Sequence, residues 1–326
     1  MNHHPSDAGP DPLHEHAQGA PGPERNDAAP PASTPAPRTA YRGTAGDGSG
    51  RGRIVLAATP IGNMGDATER LIGLLHTADV VAAEDTRRLH RLVQALDVTI
   101  TGRVLSYHEH NETERTPELL AAVRDGATVL VVTDAGMPSV SDPGYRLVEA
   151  AVAEGLDLTS VPGASAVLAA LALSGLPTDR FCFEGFLPRK PGVRTGRLVD
   201  LASEERTMVF FEAPHRLEAM LRSLQQTFGS ERPAAVAREL TKVHEQVIRG
   251  SLLELLQWAQ QGEVRGEIAV VVAGAPEAAP TRPEDSVDSV NALMAGGMRL
   301  KDAVAAVAAE TRVSKRELYA AVIAAR

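Results

Sequence analysis

The sequence predicts an α/β protein made of two α/β lobes and a small C-terminal helical domain. From Arg53 onward, short β-branched runs alternate with Ala- and Leu-rich stretches of helical period, the mark of strand–helix units around a mainly parallel sheet. A second such series begins after Pro162-Gly163, and residues 284–326 show helical period alone. A chain of 326 residues is long enough for two lobes and an appendage.

Residues 1–50 hold nine of the 22 prolines with many Ala, Gly, Ser and Asp, and almost no branched apolar residues. Such a composition cannot offset the entropy of ordering, so this arm reads as disordered. His3, His4, His14 and His16 then read as a solvated tail, because no fold fixes their geometry around a metal. The first lobe is expected over 51–163. Ile54–Ala57, Val80–Ala83, Arg103–Leu105 and Thr128–Val132 are predicted strands, apolar enough to be buried on both faces, and Leu158–Val161 is predicted to be the lobe's last strand. Helices are predicted over 66–77, 86–96, 113–125 and 143–154, the first with Asp66 placed to cap it.

The second lobe is expected over 164–275. It opens on a helix at 164–174 and continues through strands at 180–184, 207–211, 234–237 and 267–272, with helices near 214–227 and 251–261 and more antiparallel pairing. Cys182 between Phe181 and Phe183 reads as a buried strand position, and a single cysteine excludes an intramolecular disulfide and fits a reducing compartment. Residues 274–284 read as a linker. Residues 284–326 read as three short helices with a turn at Gly296-Gly297 and an N-cap at Ser314. Leu300 to Ala325 resembles a helix-turn-helix unit, for which packing is the first reading and phosphate contact by Arg312, Lys315 and Arg316 the second.

Composition narrows the function classes. A net charge of -9 argues against a basic coat that grips any nucleic acid, so RNA recognition would need a local basic cleft. Aromatic residues at 3% are too few for a stacking platform along a single strand. Without an apolar run of about 18 residues or a signal-peptide layout, the chain is expected to avoid membranes and to stay in the cytoplasm.

Catalytic groups of α/β sheets gather beyond the carboxyl ends of the strands. Ala58–Asp66 forms a Gly- and Pro-bearing turn whose backbone can approach a ligand. In Glu84-Asp85-Thr86-Arg87-Arg88, the acids end a strand and the bases begin a helix, where Asp85 or Thr86 serves equally well as a cap. Ser106–Glu112 brings two imidazoles and two carboxylates close together, yet reads as a polar substrate-facing or solvated loop rather than a metal site. Thr133–Gly144 is the densest signal, with two Gly, two Pro and two Asp, far more special backbone than a connection requires. It has neither G-x-G-x-x-G nor a Walker lysine, so neither a dinucleotide nor a nucleoside triphosphate is implied, and a carboxylate beside backbone carbonyls suits a cationic ligand. Pro162–Ala166 is a second small-residue turn, while Phe211–Arg216 and Ala237–Glu245 place charged groups after second-lobe strands.

Taken together and in this order, these segments resemble the ribosomal RNA small-subunit methyltransferase I family of the tetrapyrrole methylase superfamily. The likeness spans residues 53–274 and extends to the C-terminal helices; it departs at Met137, where a small polar residue is commoner, and in the N-terminal arm. The resemblance implies two α/β lobes with the cofactor folded into the cleft between them. It also implies a homodimer and 2'-O-methylation of a cytidine in small-subunit ribosomal RNA, free or in the assembled subunit, by S-adenosylmethionine. By the same resemblance the cofactor should lie against Pro60, the turn Asp134-Ala135-Gly136-Met137, Ser165, Ala166, Phe211 and Ala237. Glu239, His244, Asp85 and His108 are candidates to take the ribose hydroxyl proton, and Arg87, Arg88, Arg216, Arg238 and Lys242 to hold phosphates. No metal is expected. Two rivals are a methylase acting on carbon of a tetrapyrrole, which the segments 84–88 and 238–245 disfavour, and a nonenzymatic RNA binder acting through 284–326, which the scarcity of aromatics disfavours.

Overall fold

The computed structural model describes residues 52–276, 282–311 and 313–325. The expectations for the arm 1–50, its four histidines and Arg312 fall outside the described residues. The first lobe runs β1 (Arg53–Ala57), α1 (Glu69–Thr77), β2 (Val80–Ala83), α2 (Thr86–Ala95), β3 (Arg103–Ser106), α3 (Glu112–Arg124), β4 (Thr128–Val132), α4 (Tyr145–Glu154) and β5 (Asp157–Val161). Its sheet has the order β3-β2-β4-β1-β5, and every pairing is parallel.

Alternation along the strands loads both faces of this sheet. Val55, Ala57, Val81 and Leu130 pack with Leu71 and Leu75 of α1 and Leu89 and Val93 of α2. Ile54, Ala82, Val129 and Val131 pack with Leu119 and Val123 of α3 and Leu147 and Ala151 of α4. Central strands clothed in helices on both sides read as continuous apolar runs. The expected two-faced burial fails at β3, where Arg103 and Val104 are exposed because the strand lies at the sheet edge. Asp66 does not cap α1. It sits in a 3-10 turn, Met64–Asp66, capped by Asn63, and Thr68 supplies the α1 cap by accepting from the Leu71 N–H.

The second lobe runs α5 (Ala166–Ser174), β6 (Phe181–Phe186), α6 (Pro191–Leu201), β7 (Thr207–Glu212), α7 (Leu217–Phe228), β8 (Pro233–Arg238), β9 (Gln246–Ser251), α8 (Leu252–Gln260) and β10 (Ile268–Val272). The order is β6-β7-β10-β8-β9, parallel between β6 and β7 and antiparallel elsewhere. Helices α6, α7 and α8 cover one face through Leu198, Leu221, Leu224 and Leu255 against Met208, Phe210 and Val270. Helix α5 covers only part of the other, where Val167, Ala170 and Leu171 meet Val209, Ala237 and Val271. The uncovered remainder of that face looks into the cleft described below.

Two elements are absent from the sequence reading. Strand β9 offers only Val247 and Ile248 as apolar residues between polar neighbours, the pattern of an edge strand, and Pro191–Leu201 carries two glycines that weaken its helical signal. Cys182 is half-buried rather than buried, because β6 is also an edge strand. The C-terminal helices are α9 (Val287–Ala295), α10 (Leu300–Thr311) and α11 (Lys315–Ala324), preceded by a 3-10 turn at Pro283–Ser286. They share a small core of Val290, Val304, Val307, Leu318 and Val322. Ser314 caps α11 by accepting from the Glu317 N–H, and Lys315 and Arg316 are exposed. No described helix is long and apolar enough to cross a membrane.

The alternation along β7 makes a direct prediction. Phe210 is fully buried under the helices and Phe211 faces the cleft. Phe210→Ala should therefore cost about 3–5 kcal/mol of stability in denaturant titration, and Phe211→Ala distinctly less.

Candidate active site between the two sheets

The loops leaving β1 and β4 are tied to each other before they meet any ligand. Thr59 N–H donates to Gly136 O at 2.9 Å and Gly136 N–H returns to Thr59 O at 3.1 Å, while the Thr59 hydroxyl donates to Thr133 O at 3.1 Å. Gly136 sits at φ +86°, and farther along Ser139, Ser141 and Gly144 take φ of 71°, 65° and 134°. Side chains rarely adopt such backbone, and it persists where surrounding contacts over-determine it. Here the buried Glu112 at the start of α3 accepts from the Gly144 N–H at 2.6 Å, and Ser139 N–H donates to Pro143 O at 3.1 Å. A Cβ on Gly144 would lie 2.5 Å from the Ser139 hydroxyl oxygen.

This loop forms one wall of a cleft of about 490 Å³ between the two sheets, a size suited to a nucleoside-sized ligand. Asp134, Ala135, Gly136, Met137, Ser165 and Ala166 line it from the first lobe and the inter-lobe turn, and Phe211 and Ala237 from the second sheet. Pro60 lies instead on an adjoining cavity of about 390 Å³, which shares Glu84, Arg88 and Asp134 with the main cleft. The Ser165 side chain caps α5, accepting from Leu168 N–H at 3.4 Å. The lobes also touch directly: Asn63 N–H donates to the Thr241 hydroxyl at 3.1 Å, and a Cβ on Gly62 would collide with the Lys242 side chain.

Five carboxylates line this space, Glu84, Asp134, Asp142, Glu212 and Glu267, and burial raises the first three. Burial raises Glu84 above the usual range, with the neighbouring Asp134 charge adding to the effect while the Asp134 N–H, at 3.1 Å, opposes it. Burial likewise raises Asp134, against the pull of Arg88, whose Nε lies 3.2 Å from its carboxylate. Asp142 is pushed up to about 7 by burial, with Glu84 and Asp134 adding repulsion. Three partly desolvated acids beside the single guanidinium of Arg88 leave a negative field in a largely apolar pocket. That chemistry fits a cation carrying an apolar or aromatic group, and the Phe211 ring, stacked edge-on against Phe183 and Phe186, supplies the apolar surface.

The remaining residues singled out in the sequence are differently placed. Asp85 caps α2 and clasps Arg87 at 2.9 Å, which with the Arg87 N–H holds its carboxyl far below the usual range. Glu239 accepts from Lys242 at 2.8 Å and from the Glu267 N–H at 2.9 Å, and is lowered by both. Lys242 is thereby bound between Glu239 and Glu267. Arg216 turns inward to the fully buried Glu212 at 3.3 Å and to Leu187 O at 2.7 Å. Arg238 donates to Gln246 at 3.2 Å. His244 is exposed on the β8–β9 loop, and His108 is half-buried with Nδ1 unpartnered. Arg87 and Arg88 remain exposed at the rim, 86% and 56% respectively. Among the described residues no three His, Cys, Asp or Glu gather as metal ligands.

Sequence reasoning passed over Asp142 and Glu112 individually. The dense loop 133–144 was legible as a site; both of its aspartates line the cleft, but that Asp134 meets Arg88 while Asp142 meets no cation among the described residues depends on tertiary contacts. Gly144→Ala should cost about 1–3 kcal/mol by strain at φ +134°, and should weaken binding of any ligand in the cleft more than it lowers the melting temperature. Paired thermal melts and ligand titration check this.

Residues 53–256 match the family described as Tetrapyrrole (Corrin/Porphyrin) Methylases, and residues 281–326 match the RsmI C-terminal HTH domain. The chain is 54% identical to Ribosomal RNA small subunit methyltransferase I of Mycobacterium tuberculosis (strain ATCC 25618 / H37Rv) over 84% of this chain and 96% of that one. It is 46% identical to the protein of the same name from Synechocystis sp. (strain PCC 6803), over 82% and 96%. Among solved structures, the methyltransferase CobJ superposes with a TM-score of 0.53 at 22% identity, covering 71% of this chain and 98% of that one, a likeness of fold. By its matched domains and its identity to these relatives, the chain belongs to the tetrapyrrole methylase family, within the ribosomal RNA small subunit methyltransferase I group.

Proposed function

We propose that the protein transfers a methyl group from S-adenosylmethionine to the 2'-hydroxyl of a cytidine in small-subunit ribosomal RNA, acting in the cytoplasm as a homodimer. The observation that carries this reading is the cleft itself, with Glu84, Asp134 and Asp142 around an apolar cavity of about 490 Å³. Bound there, S-adenosylmethionine supplies a methyl carbon made electrophilic by a positively charged sulfur. Glu84 and Asp134 favour that positive charge, Phe211 and Ala237 pack the apolar part of the ligand, and the Asp134–Met137 turn allows close backbone approach. The protein's main contribution is alignment of the acceptor oxygen with the methyl carbon, since holding reactants in line replaces a bimolecular encounter.

RNA is the better fitting acceptor. A tetrapyrrole carrying carboxylate side chains would meet five carboxylates in the cleft, whereas an RNA strand can rest its phosphates on Arg87 and Arg88 at the rim and present only a neutral ribose hydroxyl inward. The family relatives bear the name of a ribosomal RNA enzyme, and the exposed Lys315 and Arg316 on α11 suit a supporting phosphate contact. Self-association is favoured by apolar side chains left open on α5, where Leu168 and Leu173 are exposed. Mass mapping of small-subunit RNA nucleosides with and without the protein tests the reading: a 2'-O-methylcytidine that appears only with it is expected.

Two further outcomes follow from the charges. The raised acids are ionised only above their elevated values, and a bound cation favours the ionised form. Cofactor affinity should therefore fall as the solution is acidified and Glu84 and Asp134, both raised by burial, take up protons, and binding should be accompanied by proton release in calorimetry with buffers of different ionisation enthalpy. Arg87→Ala should weaken RNA binding and lower the salt slope by about 1, whereas Arg216→Ala should instead cost about 3–5 kcal/mol of stability by leaving Glu212 buried without its partner. Salt-dependent binding and denaturant titration separate the two.

A further inference from the structure

Resting on that reading, the position of Asp142 points to a role beyond cofactor attraction. Its carboxylate lines the cleft yet accepts no hydrogen bond and pairs with no cation among the described residues. Its neighbours are committed: Glu84 to the Asp134 N–H, Asp134 to Arg88, and Glu112, behind the loop, to the Gly144 N–H and to Arg146 at 3.7 Å. Across the cleft Glu212 is held by Arg216 through one oxygen, the other being buried without a hydrogen-bond partner among the described residues, Glu267 is held by Lys242, and Glu184 on β6, next to Gly185 beside Ser141, is paired with Arg197 at 2.6 Å. The charged groups that act on Asp142 are therefore the acids Glu84 and Asp134, with Arg88 bound to the second of them.

The loop holds this free carboxylate deliberately. Ser139, Ser141 and Gly144 all take positive φ around it, and the Glu112 carboxylate fixes the loop's end through the Gly144 N–H. Strained backbone that aims an unpaired side chain into a ligand cleft is the arrangement of a functional group rather than a structural one. The other carboxylates considered for proton removal are ill suited to it, since Asp85 and Glu239 are stabilised as anions by their partners. A base works best when its acidity lies near the working pH, which is where burial places Asp142.

We propose that Asp142 is the catalytic base that takes the ribose hydroxyl proton. The 2'-oxygen forms a bond to the methyl carbon as the carbon–sulfur bond breaks, and that electron pair stays on sulfur to give a neutral thioether. The hydroxyl proton passes to the Asp142 carboxylate, so the sulfonium and carboxylate charges are both discharged in one step and the acid returns its proton to water afterwards. Glu112 is a positioning residue for this group, acting through Gly144.

The test uses full-length protein with ribosomal RNA and saturating S-adenosylmethionine under single-turnover conditions. The parent rate should rise about tenfold per pH unit below the Asp142 inflection and then level off, and Asp142→Asn should lower the plateau by at least about 100-fold and abolish that slope. Calorimetric cofactor affinity and the melting temperature should stay close to the parent's, and the aspartate carboxyl 13C resonance that titrates near neutrality in the free parent should vanish in the variant. An Asn variant that turns over at the parent rate, or one whose rate is restored by more cofactor, overturns the role of base and leaves a cofactor contact. A parent that transfers no methyl to RNA overturns the functional reading and the base together, whereas a parent that transfers it beside an equally active variant overturns the base alone.

Discussion

The pair of backbone hydrogen bonds between Thr59 and Gly136 is the constraint on which the site depends. They join the loops leaving two neighbouring parallel strands, β1 and β4, and the Thr59 hydroxyl adds a third tie to Thr133. With that anchor in place the chain from Asp134 to Gly144 has to turn back within a few residues, and it does so through positive-φ positions. Glu112 closes the other end, so the unusual backbone is held from both sides and its strain is met by a buried, charge-assisted hydrogen bond.

Electrostatics then divide the cleft from its surroundings. Inside, three acids lose water and repel one another, with Arg88 as their cationic neighbour. Outside, most charges are satisfied locally, Asp85 by Arg87 and Glu239 by Lys242, while Glu212 in the cleft wall is held by Arg216 through one oxygen. The same residue types therefore have opposite uses. An aspartate with a guanidinium beside it is a stable anion that caps a helix, while an aspartate without a partner in a desolvated wall is poised to exchange a proton. Despite a net charge of -9, the rim carries two exposed arginines, Arg87 and Arg88, which on the proposed function are the groups offered to RNA phosphates.

The fold is shared with structures such as CobJ at a level of identity that speaks for architecture alone. Specific chemistry resides in the loops beyond the strands, where this chain places carboxylates and short turns. Helix α5 contributes by omission as well as by packing. It covers only part of the second sheet, and the strip carrying Phe211, Ala237 and Ala269 stays open to a ligand.

Much of this architecture was legible in the sequence because it rests on short-range physics. Continuous apolar runs such as Thr128–Val132, helical runs such as Leu217–Phe228 and the cap at Ser314 are decided by which side chains can be buried or can bond within a few residues. The loop 133–144 announced itself by its glycines, prolines and aspartates. Edge strands were harder: β9 and β6 bury only one side of themselves, so Val247, Ile248 and Cys182 carried a weak or misleading signal. The charged residues after the strands were beyond sequence reasoning, since Arg216, Arg238 and Lys242 look as available for phosphate as Arg87 does. Tertiary structure decided that Arg216 serves Glu212 and that Lys242 bridges two glutamates, and it decided that Asp142 rather than Glu239 is left unpaired in the cleft. Local sequence sets which backbone and burial patterns are cheap; whether a charge keeps or loses its water and its partner depends on groups brought together from distant parts of the chain.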